Sequence, residues 1–79
     1  MVGKIIRTMR RENNFSQEEL ANKVYIGRTT LSDYEREKTD INFDNLEKIA
    51  NTCGYEIFFI NKKDKNKMLT SKNINRKEI

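Results

Sequence analysis

Residues 17–35, QEELANKVYIGRTTLSDYE, decide how this chain folds. Ser16 stands just before them and Glu19 three positions later, the spacing of a capping box, in which the hydroxyl accepts from a free amide and the carboxylate reaches back. Phe15 before the cap and Leu20 at the fourth helical position fit a hydrophobic staple. Leu20, Ala21 and Val24 then recur as one helix face, until Tyr25-Ile26-Gly27 breaks the period. Gly27 is an acceptable N-cap for a second helix running from Arg28 to Glu35 or Arg36, with Leu31 and Tyr34 facing inward. Two helices that cross steeply must approach closely at the corner. Ala21 is small enough to let them, and Val24, Ile26 and Leu31 fill the wedge between them. The outside of the second helix is left with hydrogen-bonding side chains: Arg28, Thr29, Ser32, Asp33 and Arg36.

Upstream, Val2 to Asn13 reads as a helix, with Val2, Ile5, Ile6 and Met9 at three- and four-residue steps. Asn13-Asn14 ends it, since asparagine tolerates the left-handed exit conformation. Downstream, Glu37 to Ile41 is a polar loop, Asn42 caps a helix over Phe43–Cys53, and Gly54 sits where a glycine closes a helix. The stripe of that helix is Phe43, Leu46, Ile49, Ala50 and Cys53. Tyr55-Glu-Ile-Phe-Phe-Ile60 is short and rich in β-branched and aromatic residues, which favours a strand. Helical phasing of Cys53, Ile57 and Ile60 is the competing reading. Residues 61–79 are Lys- and Asn-rich with little periodicity, as in a flexible tail. The expected organisation is a folded unit over 1–60 and a basic tail over 61–79.

The net charge of +4 divides unevenly. Residues 1–60 hold nine Lys/Arg against ten Asp/Glu, and residues 61–79 hold seven against two. Within the front part, Lys4, Arg7, Arg10 and Arg11 cluster in the first helix, while Arg28, Arg36 and Lys38 bracket the third. Lys4, Arg7 and Arg11 suit either a solvated helix face or proximity to phosphates. The tail lysines suit either solubility or non-specific attraction to a polyanion. The single cysteine excludes an internal disulfide and fits a reducing compartment. No apolar run reaches the roughly 20 residues that span a bilayer, and no secretory signal is evident, so the expectation is a cytoplasmic protein with no membrane partner. Histidine is absent, which removes the commonest general base and metal ligand. The chain is expected to be no enzyme, with no catalytic residue, metal or cofactor.

The ensemble resembles the Cro/phage-repressor, or XRE-type, helix-turn-helix family. Ile6, Met9 and Arg10 in the first helix carry the resemblance, then FSQEELA, Ile26, RTTLSDYE and NFDNLEKIA, over about residues 2–53. It implies a mainly α, four-helix, lambda-repressor-like DNA-binding domain whose partner is double-stranded DNA. By position, Arg28, Thr29 and Asp33 match base-reading residues. Gln17 matches a phosphate-binding glutamine, and Thr30, Ser32, Arg36, Lys38 and Thr39 lie where backbone contacts are common. Arg10 and Glu35 match a partly buried ion pair. Tyr25 and Glu37 stand where the family often has glycine.

A strand over 55–60 with no partner in the chain, carrying Tyr55, Ile57 and Phe59 on one face and Phe58 and Ile60 on the other, is an association site. Antiparallel pairing with its own copy gives a homodimer. One short helix reads about four base pairs, and two copies spaced roughly 34 Å apart read a palindrome. The expected function is a sequence-specific transcriptional regulator, a repressor acting on a palindromic operator. The alternative is a HipB-like antitoxin, which the C-terminal strand resembles, neutralising a HipA-like kinase toxin and autoregulating its operon.

Overall fold

The computed structural model describes residues 1–71. Four helices, α1 (Val2–Glu12), α2 (Gln17–Lys23), α3 (Arg28–Glu35) and α4 (Phe43–Thr52), precede two short strands, β1 (Phe59–Ile60) and β2 (Met68–Leu69).

All four helices end the same way. The amide three residues past the last helical residue reaches back five positions, from Phe15 to Arg10 O (3.2 Å), Ile26 to Ala21 O (3.0 Å), Lys38 to Asp33 O (2.9 Å) and Tyr55 to Ala50 O (2.8 Å). This is the Schellman closure, which needs a left-handed residue just before the donor. Those residues are Asn14 (φ 59°), Tyr25 (60°), Glu37 (59°) and Gly54 (87°). Only Gly54 adopts that conformation without steric cost. Tyr25 and Glu37 take it at roughly 1–2 kcal/mol each. The two departures from the family's glycines therefore leave the geometry of both exits intact, and Lys38 is fixed by its own backbone bond to Asp33.

The core takes one fully buried residue from each helix: Ile6, Leu20, Leu31 and Ile49. Met9, Ala21, Val24, Tyr34, Ala50 and Cys53 surround them, and Phe15, Ile26, Ile41, Leu46 and Ile57 pack on the outside. The expected stripe of α1 needs correction, because Val2 and Ile5 are exposed and Gly3 is buried. The cause is a close approach. A Cβ on Gly3 would lie 2.5 Å from Glu35 O and 2.7 Å from Tyr34 O, so the start of α1 rests directly on the last carbonyls of α3. That contact turns Gly3, Ile6 and Met9 inward and leaves Val2 and Ile5 outside. At its other end α1 is tied to α4, where Asn13 Nδ2 donates to Met9 O (2.9 Å) and Cys53 O (3.1 Å).

The second correction concerns the C-terminal strand. It has a partner within the chain: β1 pairs antiparallel with β2, Phe59 opposite Leu69 and Ile60 opposite Met68. The strand is also shorter than expected, since Tyr55, Glu56, Ile57 and Phe58 lie outside any ladder. Met68 and Leu69 are thereby drawn out of the stretch read as a tail. The expectation for the rest of that tail, 72–79, falls outside the described residues. The hairpin docks on α4, where Phe59 stacks on Phe43 (centroids 6.1 Å apart) and the Ser71 hydroxyl donates to Glu47. Phe43 spends its ring on this contact and stays partly exposed instead of entering the core. Among the described residues no helix is long and apolar enough to cross a membrane.

Candidate nucleic-acid interface

The α2–α3 pair is set by local chemistry before any long-range contact. Ser16 Oγ accepts from the Glu19 amide (3.0 Å) and Glu19 Oε1 from the Ser16 amide (2.8 Å), so the capping box is complete. Gly27 caps α3 in extended conformation, and Leu31, Tyr34 and Glu35 turn inward. The Tyr34 hydroxyl accepts from Asn45 Nδ2 (3.2 Å), which fixes α3 against the first turn of α4.

Beneath the outer face of α3 lies one buried carboxylate. Glu35 is 3% exposed. It accepts from Arg10 Nε (2.6 Å), Arg10 Nη2 (3.0 Å) and Gln17 Nε2 (3.1 Å), with Arg7 Nε 3.7 Å away. Arg10 also donates to Phe15 O (2.9 Å), and Arg7 Nη2 to Glu35 O (3.3 Å). Burial alone would push the Glu35 carboxyl up. The hydrogen bonds from Arg10 and Gln17, with the charges of Arg10 and Arg7, outweigh it and hold the group below the usual carboxylate range. The last residue of α3 is thus locked to α1 and to the first residue of α2.

The sequence-predicted DNA-contacting residues belong to the surface of α3, the loop after it and the first residue of α2. Arg28, Thr29, Thr30 and Arg36 are exposed, and Ser32 and Asp33 are half-buried on the same helix. Asp33 Oδ1 lies 3.5 Å from Arg36 Nη2, so these two side chains orient each other. Lys38 and Thr39 are exposed in the loop that follows. Gln17 is half-buried. One amide hydrogen is committed to Glu35, which leaves its other N–H and its carbonyl oxygen for a ligand. Arg10 is not on this surface, being nearly covered at the Glu35 pair.

Two residues were missed by reading the chain. Arg7, weighed there as a solvated or phosphate-facing charge, belongs to the Glu35 cluster. The other is Gly3, where α1 meets α3; a glycine inside an otherwise good helix is a signal of close backbone approach. The five residues expected to form a dimer strand are split: Phe59 and Ile60 enter the hairpin, while Tyr55, Ile57 and Phe58 precede it. Ile57 packs on the core, and the Tyr55 hydroxyl donates to Glu12 Oε1 (2.6 Å), which raises the phenol's pKa.

Comparison with known proteins agrees with this geometry. The helix-turn-helix family model HTH_3 matches residues 6–60. The HTH-type transcriptional regulator ImmR of Bacillus subtilis (strain 168) is 34% identical over 63 residues, which are 80% of this chain and 50% of ImmR. The control protein C.BamHI of Bacillus amyloliquefaciens is 37% identical over 57 residues, 71% of this chain and 70% of C.BamHI. Among solved structures, SinR, the master regulator for biofilm formation, in complex with DNA, superposes with a TM-score of 0.66 at 30% identity, covering 70% of this chain and 89% of SinR. The chain thus spans half the length of ImmR.

Proposed function

The chain belongs to the XRE-type helix-turn-helix family, and on that basis we propose that it is a sequence-specific DNA-binding transcriptional regulator, a repressor that occludes a promoter. The observation that carries this reading is the outer face of α3. It is polar and largely exposed, and the last residue of its helix is tied from below to Arg10 and Gln17. A short helix with that face fits the major groove, where side chains reach base edges. In this reading Arg28 donates to a guanine, Thr29 bonds a base edge or touches a thymine methyl, and Asp33 accepts from a cytosine amino group. Arg28 at the start of a helix opposes the helix dipole, a placement that fits better beside a phosphate or a guanine than in water. Gln17, Thr30, Ser32, Arg36, Lys38 and Thr39 contact phosphates and set the register. Gln17 meets the backbone already oriented, because Glu35 holds its amide. The regulator SinR, whose fold this chain shares, was solved on DNA.

The active species in this reading is a homodimer on a palindromic operator. The surface that joins the copies is the hairpin, whose Phe59 and Leu69 on one face and Ile60 and Met68 on the other are all about half exposed. Apolar side chains on both faces of a two-stranded ribbon favour a covering partner. Selection of bound duplexes from a random pool tests both parts. The expected product is a palindrome with half-sites about one helical turn apart, bound by a species that sediments as a dimer. Recovery of no enriched sequence overturns the reading.

A further inference from the structure

The hairpin does more than carry apolar residues. Its turn, residues 61–67, is NKKDKNK, with four lysines against one aspartate. This turn has a defined shape. Asn61 Oδ1 accepts from the amides of Lys63 and Asp64 (both 2.9 Å), Asp64 Oδ1 from that of Asn66 (3.1 Å), and the ladder closes with Asn61 N to Lys67 O (2.9 Å) and Lys67 N to Asp64 O (3.0 Å). The side chains that shape the turn are Asn61 and Asp64, and these bonds engage the lysines only through their backbone. The ammonium groups of Lys62, Lys63, Lys65 and Lys67 are all on exposed residues.

The base of the hairpin has a defined place on the helical body. After Gly54 the chain runs back along α4, and Phe59 stacks on Phe43, the first residue of that helix. The base of the hairpin therefore sits at the end of α4 that follows the loop bearing Lys38 and Thr39. Residues 1–60 carry one more acidic than basic residue, and Arg7 and Arg10 are engaged by Glu35. We propose that the 61–67 turn is a second phosphate-contacting element, in which Lys62, Lys63, Lys65 and Lys67 grip the DNA backbone beside the segment contacted by α3 and the 37–42 loop. This inference rests on the reading of α3 as a DNA-binding helix. It assigns the turn affinity without sequence preference, because lysine ammonium groups read phosphate charge and not base edges.

The test is the salt dependence of binding. Each phosphate neutralised on duplex DNA adds about 0.9 to the steepness with which log K falls against log salt. The variant with Lys62, Lys63, Lys65 and Lys67 all changed to Gln, titrated by fluorescence anisotropy on a random-sequence duplex of about 30 base pairs, is expected to reduce that steepness by about 2–3.5 per bound subunit. The same four positions changed to Arg are expected to keep the wild-type slope, and both variants should melt as wild type does, since no lysine side chain shapes the turn. An unchanged slope in the Gln variant, with wild type still binding, overturns the role of the turn and leaves the α3 reading standing. A wild type that binds neither random nor selected duplexes overturns both. Loss of adhesion to anionic lipid vesicles with an unchanged DNA slope assigns the lysines to a membrane surface and also overturns the proposal.

Discussion

Replacing Glu35 with Gln tests the anchor on which α3 rests. The change keeps the shape of the side chain and removes its charge. Glu35 and Arg10 have side chains only 1% and 11% exposed, so the variant leaves the Arg10 guanidinium buried without its counter-charge. Removing one partner of such a pair costs about 3–5 kcal/mol. The Gln carbonyl still accepts from one donor, which places this case near 3 kcal/mol. Arg7 is 39% exposed and adds little, because water screens it. A domain of this size has about 4–12 kcal/mol in total, so the variant loses a quarter or more of its stability. At a urea dependence of about 1 kcal/mol per molar, the midpoint falls by about 3 M, read by circular dichroism. The double variant Arg10→Met/Glu35→Leu, which buries no charge, should recover most of the loss.

The same pair has a pH signature. The folded carboxyl titrates below its unfolded value, so between the two values the unfolded chain binds more protons and stability rises with pH. The contribution is complete above the unfolded value and drains away as pH falls through the folded one. Glu35→Gln should lack this component of acid sensitivity. A single-variant midpoint within about 0.5 M of wild type, or a double variant as unstable as the single one, refutes the argument.

Gly3→Ala should destabilise by about 1–3 kcal/mol, as overpacking does, because the new methyl meets the Glu35 and Tyr34 carbonyl oxygens. A thermal melt matching wild type would show that α1 does not rest on α3 as described. Gly54→Ala should cost roughly 1–2 kcal/mol from its left-handed backbone alone, since nothing lies within 4 Å of the added Cβ. Tyr25→Gly should stay within about 1 kcal/mol of wild type, because relief of backbone strain offsets the greater entropy of the unfolded chain. Equal losses at positions 25 and 54 would contradict that comparison.

The α2–α3 corner was legible because its signals are local. A capping box, a staple, a small residue at the crossing and a break of three residues lie within 20 positions and all point one way. The pairing of Arg10 with Glu35 came from the family resemblance and not from spacing, since the residues stand 25 positions apart. Arg7 was unreadable for a related reason: its place depends on how α1 rolls, and that roll is set by Gly3 against carbonyls of α3. The hairpin was missed because β2 is two residues long and sits in a lysine-rich stretch. Met68 and Leu69 are too few to show alternation, and the turn that brings them to β1 is shaped by Asn61 and Asp64 within a run of lysines.

The most direct measurement compares the affinity of wild type and Arg28→Ala for a selected duplex and for its scrambled sequence at one salt concentration. Wild type should prefer the selected duplex by about a thousandfold or more. Arg28→Ala should lose roughly 1–3 kcal/mol of that preference, about five- to 150-fold, while holding its affinity for scrambled DNA far better. Identical preference ratios in the two proteins, or no preference in wild type, would contradict the assignment of α3 as the element that reads sequence.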